Sequence, residues 1–284
     1  PWDAAAEASA AACEGVHTYV FKRGVTYRGY LVADDSGRAD EPIRLTCDPA
    51  WGKGAAILSG AVRVTGWKRA DAESAPGFPE PEKIWYVDLG TEYQPRSLWE
   101  VRDGKVLRVA LARDPNWSVT DPDDIKSEWY EWKDVKAEQI PVEGGEPKKR
   151  SWGIDPEHLT ADDKDGYAGG TVWTEYTSVM ATPYPAPIEA YDPDRGGIRF
   201  AGPWGEPRRY VPVRHNRYFL ENLPRFLDSP GEFYYASDGP NAGRLYVRLA
   251  GDRDPNTTAV EVARWPCAID IRDQSHIHVT GLTF

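Results

Sequence analysis

The sequence predicts an all-β protein in which coils of a parallel β-solenoid are interrupted by a large antiparallel insert. Its C-terminal end carries three short runs, at 268–271, 277–279 and 282–284, in which apolar and polar residues alternate. Such runs are typical of strands with one buried face, but they are too short to be stable alone. We therefore expect them to stack on equivalent strands of a neighbouring coil. The 26 Gly, 24 Pro, 12 Trp and 15 Tyr residues also indicate a turn-rich, all-β chain.

The N-terminal end contains a matching segment. An apolar pair at Tyr19 is followed about one solenoid coil later by another at Ile43. Leu31 and Ile57 have a similar spacing, and the glycine-containing breaks between the pairs suit tight corners. The preceding segment 2–13 is rich in alanine and predicts a short helix that covers the open end of the first coil.

Several stretches resemble a known family. GVTYRG (24–29) and EPIRLTCDPAWGKGAAILSGAVRVTGW (41–67) are similar to the first coil of pectin-lyase-like right-handed parallel β-helix proteins. SHIHVTGLTF (275–284) resembles the coil in which those helices resume. The segments 97–117 and 218–256 are similar to a subgroup of secreted carbohydrate-active enzymes. These are β-helix glycoside hydrolases acting on xylan- or fucose-containing glycans, and a β-sandwich is inserted early in their solenoid.

The resemblance implies a three-part organisation. Residues 1–67 would form the short capping helix and the first coils of a right-handed parallel β-helix. Residues 68–262 would form an inserted antiparallel β-sandwich-like domain, and 263–284 the first coil of the resumed β-helix. Because such a helix needs further coils, we expect the chain to be the N-terminal part of a longer protein, packed against the remaining C-terminal β-helix coils.

The resemblance also implies a secreted or cell-surface protein that handles a polysaccharide or oligosaccharide. The expected function is that of the N-terminal part of a polysaccharide-degrading glycoside hydrolase, an enzyme class that uses paired carboxylates. In the family those carboxylates lie in later coils, so no position of this chain matches them and the catalytic residues are left unassigned. A non-catalytic glycan-binding or structural surface β-helix protein is the first alternative, and a polysaccharide lyase is the second.

The charge balance narrows the possible partners. The chain has 34 Lys and Arg against 45 Asp and Glu, which gives a net charge of −11. An acidic surface repels polyanions, so we expect no nucleic-acid partner, and a neutral glycan fits better than the acidic substrate of a lyase. No apolar run approaches the length of a membrane-spanning helix, so we expect no membrane span.

The middle of the chain reads as antiparallel β-structure. Strands are predicted at 84–89, 97–101, 106–112, 171–176, 197–200, 232–236, 244–249 and 259–263. Asp103-Gly104 predicts a two-residue hairpin turn between the second and third of these strands. The segment 220–228 predicts a short helix, and the charged, Gly- and Pro-rich stretch 120–170 predicts long loops.

We expect no metal site and no cofactor, with calcium as a minor alternative. Asp162 to Gly166 superficially resembles a calcium loop, but it lacks the alternating ligand spacing of such loops. His276 and His278 share one face of a predicted strand. Because no third ligand is visible, an exposed strand face explains the pair more simply than a metal does.

Three cysteines are present, Cys13, Cys47 and Cys267. Their spacing does not match a zinc site. Cys13 and Cys47 could form a disulfide if the capping helix lies over the first coil, whereas buried thiols are the simpler interpretation.

Aromatic residues supply the candidate substrate-binding site. Trp129 and Trp132 fall in a charged stretch, and Trp204 lies in the turn-like sequence Gly-Pro-Trp-Gly. Because indole faces stack on sugar rings, these three residues are candidates for glycan binding. The alternative is that the three rings fill the core of the insert or the seam between the insert and the solenoid.

Overall fold

The protein folds into two compact units. The computed structural model describes residues 9–13, 18–92, 94–176, 180–202, 211–265 and 267–284. The first unit comprises 1–67, 90–109 and 254–284, and the second comprises 68–89 and 110–253. The first unit thus includes 90–109 and 254–262, which the sequence analysis assigned to the insert. A single inserted domain over 68–262 stays a prediction.

Nearly all regular structure in the described residues is β-strand. The strands are, in chain order, β1 (Ser9–Cys13), β2 (Thr18–Arg23), β3 (Thr26–Ala33), β4 (Ile43–Gly52), β5 (Ala56–Ser59), β6 (Ala61–Val64), β7 (Lys68–Arg69), β8 (Trp85–Asp88), β9 (Leu98–Arg102), β10 (Lys105–Leu111), β11 (Arg113–Asp114), β12 (Tyr130–Glu131), β13 (Asp134–Ile140), β14 (Lys148–Ile154), β15 (Thr171–Tyr176), β16 (Met180–Asp192), β17 (Gly197–Phe200), β18 (Arg217–Glu221), β19 (Glu232–Tyr235), β20 (Arg244–Arg248), β21 (Ala259–Ala263), β22 (Ile269–Asp270), β23 (Ile277–Val279) and β24 (Leu282–Thr283). Short 3₁₀ helices lie at Pro81–Lys83, Pro224–Phe226 and Pro255–Thr257. The all-β prediction is confirmed. Within the described part of the chain, no helix is long and apolar enough to cross a membrane.

Two parallel sheets form the first part of the first unit. One has the order β1-β3-β5-β24, with β22 also paired to β3, and the other has the order β2-β4-β23. Every one of these pairings is parallel. Alternate residues of β3 are buried, among them Tyr27, Leu31 and Ala33, as expected for a strand with one face on a core.

The expected pairing of the two ends of the chain is confirmed. Ile277 pairs with Ile43 and Val279 with Leu45 in parallel register. The spacing inferred from sequence is offset, however, because Tyr19 pairs with Leu45 rather than with Ile43. The side chains that meet between the strands form one apolar core, which includes Leu45 and Leu58 with Ile277 and Leu282 packed against them.

An antiparallel group completes the first unit. Strand β21 lies between β6 and β9, and β9 forms a hairpin with β10. Asp103 and Gly104 at the hairpin turn have φ values of 51° and 72°, so the predicted two-residue turn is confirmed. The guanidinium of Arg28 in β3 forms a two-armed ion pair with Glu261 in β21, which ties this group to the parallel strands.

The second unit contains antiparallel strands in two groups. In one, β20 lies between β19 and β8, β7 pairs with β8, and residues 110–111 of β10 run parallel to β19. The other has the order β11-β18-β15-β16-β17-β14-β13, with β12 also on β18. Its inward side chains form a large aromatic core that includes Trp132, Tyr176, Phe200 and Tyr218. The strands predicted at 171–176 and 197–200 are found within these bounds.

Three local predictions are wrong. Ser9–Cys13, expected within a capping helix, is a strand paired with residues 29–33, because an open sheet edge supplies the backbone partners that override helix propensity. Residues 2–8 lie outside the described residues. The segment 220–228 is not one helix, because Leu220 and Glu221 belong to β18 and only Pro224–Phe226 is 3₁₀-helical. The stretch 120–170 holds the hairpin β13–β14 in addition to loops.

The structure decides between a disulfide and a free thiol at Cys47. Cys47 is a free thiol, and its Sγ donates to the carbonyl of Gly281 at 3.0 Å. The Cys13–Cys47 disulfide is therefore absent from this structure. Cys267 is also a free thiol, and it is exposed.

Candidate functional site

The outer face of three strands in the second unit carries a row of large side chains. In β18 the side chains of Tyr218 and Leu220 point into the core, so Phe219 between them points to the other face. Trp173 of β15 pairs directly with Phe219. Their ring centroids are 5.8 Å apart and the planes differ by only 6°. The strand period thus places two stacked aromatic rings on one outer face.

Arg113 lies at the centre of this face. Its guanidinium carbon is 3.7 Å from the ring centroid of Phe219, 5.2 Å from that of Trp117 and 5.3 Å from that of Trp129. Trp129 also packs edge-on against Phe219 at 4.5 Å. Cation–π contacts of this kind hold a guanidinium and its surrounding rings in fixed geometry. We call Arg113, Trp117, Trp129, Trp173 and Phe219 the Arg113 platform.

The charge state of Arg113 follows from its burial. Burial lowers the pKa of its guanidinium to about 10, and the nearby carboxylate of Glu221 acts in the opposite direction. Its Nε donates to the carbonyl of Pro115 at 2.9 Å. Arg113 is therefore cationic at neutral pH and fixed at the middle of the platform.

Hydrogen-bonding groups surround the platform. Glu221, the cross-strand neighbour of Arg113, accepts a hydrogen bond from the indole nitrogen of Trp173 at 2.6 Å. Nearby, the guanidinium of Arg217 donates to both carboxylate oxygens of Asp124, at 2.6 and 2.7 Å. Lys126 forms an ion pair with Glu175. These two ion pairs attach the loop that precedes Trp129 to strands β15 and β18.

The exposure of the indoles decides which of them a ligand can reach. Trp117 is 57% exposed, whereas Trp129 and Trp173 are half-buried. Trp132 is completely buried: its ring stacks on Tyr218 at 3.6 Å, and its Nε1 donates to Thr174 at 2.8 Å. Trp132 thus occupies the core position that the sequence analysis kept as the alternative, and it presents no ring face to a ligand.

The structure brings together a different set of tryptophans from the one proposed. Trp129 lies on the platform, and Trp204 lies outside the described residues. Sequence reasoning missed Trp117 and Trp173. The alternation of β15, in which Val172 and Thr174 are buried, was the signal that could have placed Trp173 on the outer face.

A buried polar network lies beneath the strands. Asp155, which is completely buried, accepts hydrogen bonds from the Tyr218 hydroxyl and from Nδ1 of His158, both at 2.8 Å. The His158 ring stacks on Tyr130 at 3.8 Å, and the Tyr130 hydroxyl donates to Asp114 at 2.6 Å. Burial raises the pKa of Asp114, although the hydrogen bond from Tyr130 acts against this shift.

Three residues of this region could in principle hold a metal ion. One ligand atom from each of Asp155, Glu157 and His158 lies within 4.8 Å of the others. However, Asp155 already accepts two side-chain hydrogen bonds, and Glu157 forms an ion pair with Lys133 at 3.0 Å. Hydrogen bonding therefore accounts for the cluster, and the arrangement does not call for a metal.

The calcium alternative gains no support from local geometry. Within the Asp162 to Gly166 segment, Asp163 accepts a hydrogen bond from the backbone nitrogen of Asp165 at 2.8 Å, as in an ordinary turn. On β23, His278 contacts Arg44 at 3.4 Å, and this cation disfavours a metal ion at the same place.

Glu232 has the most perturbed carboxyl described in the second unit. Its side chain is 4% exposed, and its Oε2 has no hydrogen-bond partner. Burial raises its pKa to about 8, and the charge of Asp228 adds to the shift. A raised pKa of this kind suits a general acid, but the burial of Glu232 keeps a polysaccharide chain away from it.

The comparisons with known proteins point to one class of fold. One solved structure, named "Glycoside hydrolase", matches with a TM-score of 0.59, a probability of 1.00 and 18% sequence identity. The match covers 93% of this chain and 42% of that one, so this chain spans less than half the length of the protein it resembles. No family model matches the sequence, and no curated protein matches it. The chain therefore has a glycoside-hydrolase-like, all-β fold.

Proposed function

We propose that this chain is the glycan-handling N-terminal part of a secreted, polysaccharide-degrading β-helix glycoside hydrolase. The observation that carries the proposal is the Arg113 platform, on a fold that resembles a solved glycoside hydrolase. The catalytic carboxylate pair of such an enzyme would lie outside this chain. Glu232 is consistent with this, since its carboxyl is too buried to reach a glycosidic bond.

The β-helix part of the proposal is supported by side chains stacked between neighbouring parallel strands. Arg44 contacts His278, and the hydroxyls of Thr46 and Thr280 lie 3.1 Å apart. Both contacts join residues at equivalent positions of β4 and the β23 region. Stacking of equivalent positions is the repeating feature of a parallel solenoid. A right-handed parallel β-helix of the pectin-lyase-like kind accounts for this arrangement.

The chemistry of the platform suits a neutral glycan chain. The exposed face of Trp117 can cover the apolar face of a sugar ring, and Trp129 extends the surface towards a second ring. The carboxylates of Glu221 and Asp124 are acceptors for sugar hydroxyls at its border. The net charge of −11 disfavours a polyanionic chain.

The test is binding of xylo-oligosaccharides and fucosylated oligosaccharides to the 284-residue chain, measured by calorimetry. Trp117→Ala should weaken binding about tenfold, because the stacking surface is lost. Trp129→Ala should do the same, provided that its melting temperature shows an intact fold. The matched control is Trp51→Ala, which removes an indole that is 48% exposed in the first unit and should leave affinity unchanged.

Two outcomes would contradict the proposal. One is binding that is unaffected by Trp117→Ala and Trp129→Ala, and the other is no binding of any oligosaccharide. A non-catalytic glycan-binding protein would also pass this first test. Release of reducing sugar by the full-length protein separates the two functions, since only the hydrolase cleaves its ligand.

A further inference from the structure

The second unit also contains a cleft, whose lining residues differ from those of the Arg113 platform. It is a cleft of about 270 Å³ between the turn that follows β18 and the loop 236–241. Pockets for drug-sized molecules run from about 300 to 1,000 Å³, so this cleft is of the size that takes one small ring. The cleft and the platform have no lining residue in common.

Aromatic rings form the floor of the cleft. Phe78 packs edge-on against Tyr234 at 5.6 Å and tilted against Tyr246 at 4.6 Å. The Tyr246 hydroxyl donates to the carbonyl of Ser74 at 2.8 Å, so its polar end is engaged within the protein. All three line the cleft, and Phe78 and Tyr234 are each 8% exposed, whereas Tyr246 is 1% exposed and supports them from below. They give the cleft a rigid apolar floor.

Polar side chains form its rim. Asn222, Ser237, Asp238 and Asn241 line the cleft. Asn241 accepts a hydrogen bond from Arg244 at 2.7 Å, which fixes its amide and leaves its nitrogen as a donor. Asn222 has a left-handed backbone, with φ of 67°, at the turn that ends β18. The rim thus offers amide, hydroxyl and carboxylate groups above an apolar floor.

The charges at the cleft are of one sign. Burial raises the pKa of Tyr234 to about 12, and the charge of Asp238 adds to this shift, which indicates that the carboxylate lies close to the floor. Among the described residues that line the cleft, Asp238 is the one charged side chain. The guanidinium of Arg244, which donates to the rim residue Asn241, is also paired with Asp88 at 3.0 Å. A carboxylate-bearing ligand would therefore meet repulsion from Asp238 without a compensating cation.

We propose that this cleft is a binding site for a single neutral sugar ring. The apolar floor covers the C–H face of the ring, while Asn222, Asp238 and Asn241 bind its hydroxyls. Sugar recognition requires this combination of an aromatic surface with a few convergent polar groups. The cleft is distinct from the platform, so this inference does not depend on the function proposed above.

The experiment is saturation-transfer NMR with calorimetry on the 284-residue chain, using D-xylose, L-fucose and D-glucose as probes. D-Glucuronate and choline are the charged comparison probes. At least one neutral sugar should bind in the millimolar range. Asp238→Ala and Asn222→Gly should each weaken that binding about tenfold, because each removes a hydrogen-bonding side chain from the rim. Glycine at 222 tolerates the left-handed backbone, so that variant keeps its fold.

Two controls test for non-specific effects of losing an exposed charge or an exposed indole. Asp194→Asn removes an exposed carboxylate in a turn of the same unit and should leave binding unchanged. Trp51→Ala removes an exposed indole in the first unit and should also leave binding of the single sugars unchanged. The proposal is overturned if no neutral sugar binds, if glucuronate or choline binds more tightly than the neutral sugars, or if neither rim variant weakens binding.

Discussion

Ile277 pairs with Ile43 in parallel register, although the two residues lie near opposite ends of the chain. Ile43 is completely buried, and its backbone nitrogen donates to the carbonyl of His276 at 3.0 Å. The chain is also closely packed at Gly37, in the turn before Ile43. A Cβ on Gly37 would lie 2.5 Å from the same carbonyl oxygen of His276. The C-terminal strands are thus an integral part of the core that the N-terminal strands begin.

Ile43→Ala should therefore destabilise the first unit strongly. Removing a buried isoleucine costs about 2–5 kcal/mol, because apolar contacts are lost and a cavity remains. The measurement is urea unfolding, with hydrogen exchange to locate the loss in the first unit. Val20→Ala, at a position 44% exposed in β2, is the control and should change the free energy of unfolding by less than about 1 kcal/mol. Equal effects of the two changes would be inconsistent with the pairing.

The close approach of β14 to Trp132 predicts that a side chain at Gly153 would destabilise the fold. A Cβ on Gly153 would lie 2.6 Å from the Trp132 ring, whereas a Cβ on Gly145 would make an ordinary 3.5 Å contact with Val142. Gly153→Ala should lower the free energy of unfolding by about 1–3 kcal/mol, because the indole must shift within a packed core. Gly145→Ala is the matched control and should be nearly neutral. Similar melting temperatures for both variants would argue against the stacked position of Trp132.

The hydrogen bonds of Asp155 make it sensitive to a neutral replacement. Asp155→Asn replaces one carboxylate oxygen with an NH2 group. In either orientation this group faces a donor, namely Tyr218 and His158 on one side or the backbone nitrogen of Glu157 on the other. The free energy of unfolding should fall by about 1–3 kcal/mol. Asp163→Asn, at an exposed carboxylate that accepts only a turn hydrogen bond, serves as control. If Asp155→Asn were as stable as the wild type, the network would be of no energetic importance.

The raised pKa of Glu232 predicts that the free energy of unfolding depends on pH. Its pKa of about 8 in the folded protein lies above the ordinary value of 4.5, so folding favours the protonated carboxyl. The stabilisation of the folded protein by protonated Glu232 is fully present below pH 4.5. It is lost as the pH rises from there through about 8. Glu232→Gln should therefore raise stability over the wild type by an amount that grows across this window, on the order of 5 kcal/mol at its upper end. Thermal unfolding of both proteins from pH 4 to 9 measures the difference, and a pH-independent difference would contradict it.

The strands that sequence analysis located share a clear pattern. Thr171–Tyr176 alternates strictly between buried and half-buried residues, so its period is visible in the sequence. Met180–Asp192 was missed because Pro183, Pro185 and Pro187 argue against a strand. These prolines alternate, so their missing N–H groups all fall on the same side of the strand, and the pairing of Pro185 and Pro187 with β15 is kept.

The site was harder to predict than the fold. Trp129 and Trp132 are close in sequence, but one contacts an outer sheet face and the other fills the core. Which of the two is exposed depends on β18, whose residues are distant in sequence. The role of Arg113 was invisible for the same reason, because its partner Phe219 is brought to it only by strand pairing. Local composition identifies candidate aromatic residues, and tertiary pairing selects among them.

The interleaving of the two units along the chain has a consequence for biosynthesis. The core of the first unit needs Ile269, Ile277 and Leu282, which leave the ribosome after the whole second unit has been made. The second unit, by contrast, has all its residues available once 253 has emerged. We therefore expect the second unit to fold first during translation. The edges of the N-terminal strands stay exposed until the C-terminal strands have emerged, and we expect chaperones to bind them during that time.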